Sequence, residues 1–174
     1  MPENRTRYTV EIEFTNELIG TQVSSFDMTH DSIKDIAPAR TFGFMEQIPQ
    51  LERQGLIKGG SLSNAVLIDG ENVMNKDGLR FKDEFVRHKV LDCIGDFGLV
   101  GLQIFGHYYA KKPGHETNHQ FLRTLFNRRD AWSYITVEDY YRLLGLHPDM
   151  GKRREEQERL KNEDSCKLGG TVGC

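Results

Sequence analysis

The sequence predicts an α/β fold, specifically an α+β two-layer sandwich in which a sheet packs on helices. Three segments lead to this prediction. Residues 8–14 alternate apolar and polar side chains, which is typical of a half-buried strand, whereas residues 83–96 carry apolar side chains at helical spacing. Residues 41–68 have the order strand, helix, strand, and this order predicts a compact crossover unit inserted in the larger layer.

The first predicted elements are short and are separated by turn-forming residues. After the strand at 8–14, residues 24–28 are predicted to form a second, short strand. Residues 31–37 are expected to form a brief helical turn, because Pro38 cannot continue a helix. Residues 40–44 are expected to be extended, with a glycine in the middle.

A short helix and a buried strand complete the inserted unit. Residues 46–54 are predicted to form an amphipathic helix, because Ile48 and Leu51 lie three residues apart and Gly55 is placed to end the helix. Residues 65–68 are all apolar, which is typical of a buried strand.

Two longer helices and a strand are predicted in the remainder. The helix at 83–96 has its apolar residues on the side opposite its histidine and carboxylates. Residues 98–109 are rich in apolar side chains and predict a strand, and residues 111–115 predict a loop. Residues 118–127 predict a helix whose inward-facing side chains are Phe121, Leu122 and Leu125.

Composition limits the chain to one ordinary domain and a tail. Of its 174 residues, 37% are apolar and 28% are charged, and 10 Phe and 6 Tyr provide material for a core. The composition becomes strongly charged from Met150 onward, so we expect a domain at 1–148 and a charged tail at 149–174 that takes no part in chemistry. A net charge of -3 gives no overall field that would attract nucleic acid or an anionic membrane surface.

The cysteine content predicts a reducing, cytoplasmic setting. Cys93, Cys166 and Cys174 are odd in number, and they lack the spacing of a zinc knuckle or a redox pair. No apolar run approaches the roughly 20 residues that cross a bilayer, and the first residues lack the apolar stretch of a signal peptide.

One helical stripe is the candidate functional site. His88, Asp92 and Asp96 follow one another at intervals of four residues, and at about 3.6 residues per turn they share one side of the predicted helix. An imidazole nitrogen and a carboxylate oxygen one turn apart can bind one divalent metal ion, and zinc suits such mixed ligands. Most pairs at this spacing are only hydrogen-bonding neighbours on a surface, and a catalytic zinc site needs a third protein ligand.

Two basic residues near this stripe offer further chemistry. Lys89 is either an ordinary exposed lysine or a point charge that binds a phosphate. His115, in a loop after Gly114, is either polar surface or an acid that stabilises an oxyanion or protonates a leaving amine. Asp96 is the natural partner of such a histidine.

A series of specific motifs occurs in order over residues 40–132. The motifs are Arg40-Thr41-Phe42-Gly43-Phe44, Gln54-Gly55-Leu56, Gly59-Gly60-Ser61, residues 75–81, residues 83–89, Leu91-Asp92, Ile94-Gly95-Asp96 and Gly114-His115. Together they resemble the zinc-dependent UDP-3-O-acyl-N-acetylglucosamine deacetylases of lipid A biosynthesis. The resemblance extends more weakly back to about Tyr8 and covers only the C-terminal domain of that family.

The resemblance implies a role for each matching residue. His88 and Asp92 are implied to be two of the family's three zinc ligands, with Zn²⁺ as the cofactor. Asp96 and His115 are implied to be the pair that handles the oxyanion and the leaving amine, and Thr41 the residue that hydrogen-bonds the reacting group. The implied substrate contacts are Lys89 with the diphosphate, Phe14 with the uracil, and an acyl passage formed by Phe42, Met45, Ile48, Gly60, Ser61 and Ala65.

The resemblance also implies what this sequence lacks. In the family, an N-terminal domain supplies the third zinc ligand, a histidine, and the glutamate that acts as general base, and neither residue can be placed here. We therefore expect one domain of a zinc-dependent amide hydrolase that deacetylates UDP-3-O-acyl-N-acetylglucosamine together with an N-terminal partner domain. The alternatives are a non-catalytic module that binds an acyl chain and a nucleotide sugar, and an inactive fragment.

Overall fold

The structure, a computed structural model, describes residues 3–145. The described residues fall into two units, a first one that ends at Trp132 and a second one that begins at Ser133. The predicted tail at 149–174 lies outside the described residues, together with two of the three cysteines, and the domain boundary at 148 stays a prediction. None of the helices in the described part of the chain is long and apolar enough to cross a membrane.

Strands and helices are mixed along the described residues. In the second unit, a helix at Val137–Leu143 follows Thr136, whose hydroxyl accepts a hydrogen bond from the Asp139 N–H at 3.1 Å. Two short 3-10 turns, Ile33–Asp35 and Met45–Gln47, lie before and after the strand Thr41–Phe44. The bounds are β1 (Thr6–Glu13), β2 (Thr21–Asp27), β3 (Thr41–Phe44), α1 (Ile48–Arg53), β4 (Ala65–Asp69), β5 (Asn72–Val73), α2 (Glu84–Gly98), β6 (Gly106–Lys111), α3 (His115–Asn127) and α4 (Val137–Leu143).

Strands β1 to β6 form two three-stranded sheets in the first unit. In the first sheet, β1 lies in the centre, antiparallel to β2 and parallel to β6. In the second sheet, β4 lies between a parallel β3 and an antiparallel β5. The succession β3, α1, β4 confirms the strand, helix, strand order predicted for residues 41–68, and the mixture of sheets and helices confirms the α/β class.

One hydrophobic core joins both sheets to α2. Alternate residues of β1, including Val10 and Ile12, are buried, as the two-residue period of a strand requires. From α2, Phe85 and Val90 are fully buried in the same cluster. The rings of Phe85 and Phe42 meet with their centroids 5.0 Å apart, and this contact joins β3 to α2. The helix that carries the predicted stripe is therefore fixed by the core on its other side.

The predicted strand at 98–109 is wrong in its first half. Helix α2 continues to the start of that run, and Gly101 then adopts a φ of +71° in a turn. Leu99 and Leu102 are 74% and 54% exposed, so the apolar character of this segment does not mark a buried strand. Only the second half of the predicted range contains a strand, β6.

The predicted helix at 118–127 begins three residues earlier, at His115. The hydroxyl of Thr117 accepts a hydrogen bond from the Gly114 N–H at 2.8 Å, which closes the first turn. His115 therefore belongs to a helix and not to the predicted loop. Of the three side chains expected to face inward, Leu122 is buried, Leu125 is half-buried and Phe121 is 41% exposed.

Candidate functional site

Helix α2 presents His88, Asp92 and Asp96 on successive turns, as their spacing predicts. Their side chains are only 17%, 15% and 8% exposed. Partial burial weakens the screening of charge by solvent, so ionic contacts at this stripe are stronger than on an open surface.

The orientation of the His88 ring is set by a backbone carbonyl. Its Nδ1 lies 3.0 Å from the carbonyl oxygen of Ala39, and because that oxygen can only accept, Nδ1 carries the proton. In the neutral ring, Nε2 is then a bare acceptor, and it lies 3.3 Å from Oδ1 of Asp92. Two acceptors at this distance repel each other unless a proton or a cation lies between them.

The other oxygen of Asp92 is held by Lys89. The Lys89 ammonium lies 2.8 Å from Oδ2 of Asp92, and its side chain is 20% exposed. Lys89 is therefore neither an ordinary exposed lysine nor a free charge in this structure. The lysine neutralises the carboxylate that faces His88.

The Asp96 carboxylate lies between groups of α3. His115 Nδ1 is 3.0 Å from both carboxylate oxygens, Asn118 Nδ2 donates to Oδ2 at 2.7 Å, and His119 Nε2 is 3.2 Å from Oδ1. Burial by itself would raise the pKa of Asp96, but the hydrogen bonds from Asn118 and His115 and the charges of both histidines hold the pKa below its usual value. Asp96 is thus an ionised acceptor at neutral pH, and the predicted pairing of Asp96 with His115 is present.

The buried side-chain amide of Asn118 holds the Asp96 carboxylate in place. Asn118 is fully buried, and its Oδ1 accepts a hydrogen bond from the Tyr108 hydroxyl at 2.9 Å. Burial raises the pKa of the Tyr108 hydroxyl to about 12, so this group keeps its proton and acts as the donor. The Asn118 amide is consequently turned with its Nδ2 toward Asp96, which secures the carboxylate on its inner side.

The site also contains His119, Asn118 and Tyr108, which are not among the site residues predicted from the sequence. The signal for the first two was their spacing, because residues three and four positions after His115 share its helical face. Placing His115 in a loop hid this relation. His119 Nε2 is buried and has no aligned hydrogen-bond partner among the described residues, although it lies close to Asp96.

The lowered pKa of Asp96 predicts how stability changes with pH. The ionised carboxylate stabilises the fold above the unfolded-state pKa of about 3.9, and this contribution is lost as the pH falls through the lower folded-state pKa. We expect the free energy of unfolding, measured in urea between about pH 2.5 and 7, to fall less steeply below about pH 4 in Asp96→Asn than in the unaltered chain. Equal slopes in the two proteins would contradict the assignment.

The remaining predicted site residues, apart from Phe14 after the end of β1, lie on β3 and in the rest of the inserted unit. Thr41 is exposed at the start of β3, two residues after the carbonyl that binds His88. The Phe42 ring packs against Phe14 and Phe85, with centroid distances of 5.5 and 5.0 Å. Ile48 and Ala65 are half-buried, whereas Met45, Gly60 and Ser61 are exposed.

A pocket of about 410 Å³ lies where the end of β1 approaches the inserted unit. It brings together two of the predicted substrate residues, Phe14 and Met45, with the ring of Phe44 and the backbone turn at Gly70. The structure does not bring the other predicted acyl-passage residues into this pocket, namely Phe42, Ile48, Gly60, Ser61 and Ala65.

Within residues 3–145, no group of three or more His, Cys, Asp or Glu side chains is arranged to hold a metal ion. Nε2 of His88 and Oδ1 of Asp92 face each other and are two atoms that could bind one metal ion. A closed or catalytic metal site built on them needs at least one further ligand from elsewhere.

The chain is similar to known enzymes over the part that carries this site. The model of the LpxC family, UDP-3-O-acyl N-acetylglycosamine deacetylase, matches residues 1–127. A UDP-3-O-acyl-N-acetylglucosamine deacetylase of Haemophilus influenzae (strain PittEE) is 44% identical over 141 residues, which are 79% of this chain and 46% of that protein.

Two further relatives with the same name are also similar to this chain over only part of their length. The one from Teredinibacter turnerae is 54% identical over 107 residues, 62% of this chain and 35% of the relative. The one from Geotalea uraniireducens is 46% identical over 138 residues, 79% of this chain and 45% of the relative. The chain therefore spans less than half the length of these curated relatives.

Proposed function

The chain belongs to the family of UDP-3-O-acyl-N-acetylglucosamine deacetylases, and we propose that it is the C-terminal domain of a zinc-dependent member. The proposed reaction is the hydrolysis of the N-acetyl group of UDP-3-O-acyl-N-acetylglucosamine in lipid A, or lipopolysaccharide, biosynthesis. The observation that carries this proposal is the pair of atoms able to bind a metal, His88 Nε2 and Asp92 Oδ1, which lie 3.3 Å apart. Asp92 lies one helical turn before Asp96, which pairs with His115.

The donor set suits a zinc ion. A neutral imidazole nitrogen and a carboxylate oxygen are both common zinc ligands, and the hydrogen bond from His88 Nδ1 to a backbone carbonyl is the arrangement that usually orients a metal-binding histidine. A cation between Nε2 of His88 and Oδ1 of Asp92 would relieve the repulsion of their lone pairs. When bound, zinc supplies Lewis-acid chemistry, since it polarises an amide carbonyl and lowers the pKa of water.

The Asp96–His115 pair has the arrangement of a proton donor. With Nδ1 held by Asp96, the exchangeable proton of His115 is at Nε2, on a side chain that is 65% exposed. In amide hydrolysis, water gives one proton to the general base proposed for the partner domain and adds as hydroxide to the carbonyl carbon. The C–N bond then breaks, the leaving amine takes a proton from Nε2 of His115, and acetate forms. Asp96 keeps the ring oriented and compensates its positive charge before that transfer.

The remaining predicted residues are proposed to contact the substrate. Thr41 starts the strand next to His88 and is proposed to hydrogen-bond the reacting group. The pocket at Phe14 offers an aromatic face for the uracil ring, and Lys89 is proposed to meet the diphosphate. The inserted unit is proposed to hold the acyl chain.

The partner and the setting are part of the same proposal. A further domain, placed N-terminally in this proposal, supplies the third ligand and the general base. The present chain covers only 46% of the Haemophilus influenzae relative, which leaves room for such a domain. We also propose that the reaction takes place in the cytoplasm. The free, buried thiol of Cys93 is compatible with a reducing compartment.

Complementation tests the function directly. The full chain is mixed with the part of the Haemophilus influenzae relative that it does not cover, and release of acetate from UDP-3-O-acyl-N-acetylglucosamine is followed with and without zinc. We expect activity only with both parts and with zinc present. We expect His88→Ala to reduce that activity about 100-fold. We expect His30→Ala, at an exposed turn, to leave the activity unchanged.

The same assay separates the alternatives. Activity that survives in His88→Ala would overturn the ligand assignment. Binding of the acyl nucleotide sugar without any hydrolysis in the complemented mixture would favour the non-catalytic module, and neither binding nor hydrolysis would favour the inactive fragment.

A further inference from the structure

The peptide unit between Ala39 and Arg40, just before β3, has both its carbonyl and its N–H hydrogen-bonded to side chains of α2. The carbonyl of Ala39 accepts from Nδ1 of His88 at 3.0 Å, and the N–H of the next residue, Arg40, donates to Oε1 of Glu84 at 2.9 Å. Glu84 and His88 are four residues apart, so they lie on adjacent turns of the same helical face. The plane of the Ala39–Arg40 peptide is thereby fixed relative to α2.

Glu84 is itself firmly held. Its side chain is 0% exposed, and it accepts from Arg40 Nε at 2.8 Å, from Arg40 Nη2 at 3.1 Å and from the Arg80 N–H at 2.6 Å. Arg40 also donates from Nη2 to the Gly78 carbonyl at 2.7 Å. A buried carboxylate with this many charge-assisted hydrogen bonds has no alternative position of comparable energy.

We propose that Glu84 is a positioning residue for His88: by holding the Ala39–Arg40 peptide, it fixes the rotation of the imidazole ring and leaves Nε2 as the bare nitrogen. This inference rests on the proposed function, in which Nε2 is a zinc ligand. The physical reason is that the hydrogen bond made by one ring nitrogen selects the tautomer at the other. If the peptide rotates, its carbonyl no longer faces Nδ1, and the ring loses this selection.

Two substitutions distinguish this role from a general contribution to stability. Glu84→Asp keeps the charge but withdraws the carboxylate by one methylene from the Arg40 N–H. Arg40→Lys keeps the positive charge and the backbone N–H but loses the planar fork of the guanidinium. Both changes weaken the buried ion pair, but only Glu84→Asp breaks the contact to the peptide.

The experiment uses the full, metal-free chain labelled with ¹⁵N, at about pH 8.5, two units above the ordinary histidine pKa of about 6.5. Long-range ¹H–¹⁵N spectra report the protonated nitrogen of His88, assigned by comparison with His88→Gln. We expect Nδ1–H with a bare Nε2 in the unaltered chain and in Arg40→Lys, and a mixture of tautomers in Glu84→Asp. In a zinc titration of the same samples, we expect the dissociation constant to rise about tenfold in Glu84→Asp and to stay near the unaltered value in Arg40→Lys.

Several results would overturn the proposal. Finding only the Nδ1–H tautomer of His88 in folded Glu84→Asp would overturn it. An equal mixture of His88 tautomers in Arg40→Lys and Glu84→Asp would also overturn it. If Glu84→Asp does not fold, the unaltered chain decides: a slowly exchanging Arg40 amide together with Nδ1–H supports the proposal, and a bare Nδ1 refutes it. Because the spectra need neither substrate nor partner, a failure of complementation would leave this result standing, and a failure here would leave the proposed reaction standing.

Discussion

Replacing Phe85 by alanine is expected to lower the free energy of unfolding by about 3–5 kcal/mol. Phe85 is fully buried in α2, and its ring meets that of Phe42 at a centroid distance of 5.0 Å. Truncation leaves a cavity at the point where α2 contacts β3, next to the segment that orients His88. Urea unfolding of the two proteins under the same conditions measures the difference.

Phe121→Ala is the matched control, because it removes the same atoms from a side chain that is 41% exposed. The Phe121 ring still contacts Tyr108 at a centroid distance of 4.9 Å, so we expect a smaller loss of about 1 kcal/mol. A cost for Phe85→Ala no larger than that of the control would show that Phe85 does not fill the core as the structure indicates.

Replacing His115 by alanine is expected to lower kcat of the complemented enzyme by about 10²–10⁴-fold. The physical reason is the loss of the proton donor to the leaving amine, because His115 Nδ1 is held by Asp96 and Nε2 remains for the transfer. Zinc content should not change, since His115 is not a proposed ligand. Steady-state kinetics with metal analysis of the same samples measures both quantities.

Neighbouring substitutions make this prediction specific. Asp96→Asn should also lower kcat strongly, and the double variant should lose little more than His115→Ala alone, because the two residues act as one unit. Glu116→Ala, at an exposed position beside His115, should leave kcat unchanged. Additive losses in the double variant, or loss of zinc from His115→Ala, would contradict the assigned role.

The parts of the fold that the sequence predicts well are those whose pattern has one physical explanation. The alternation in β1 and the interval of four residues between His88 and Asp92 each place side chains on one side of an element. The crossover at 41–68 followed from its order of elements. Each of these predictions depends on local spacing, which the structure preserves.

The failures occurred where local pattern was ambiguous or where contacts were distant in sequence. The apolar run after α2 contains Leu99 and Leu102, which composition alone cannot distinguish from buried residues. The buried pair of Arg40 and Glu84 joins positions 44 residues apart, and no spacing rule relates them. The extent of the site around Asp96 was likewise hidden, because it depends on where α3 begins.

The contact between Lys89 and Asp92 has a thermodynamic consequence for the proposed enzyme. In the structure, the ammonium and the carboxylate form a neutral couple at 2.8 Å. A diphosphate that draws Lys89 away leaves Asp92 uncompensated, which makes the two donors more attractive to a divalent cation. By reciprocity, a cation at Asp92 weakens the hold on Lys89 and favours the anion to the same degree. We therefore expect nucleotide and metal to bind the proposed enzyme with positive cooperativity through one lysine, so that the affinity for each depends on whether the other is bound.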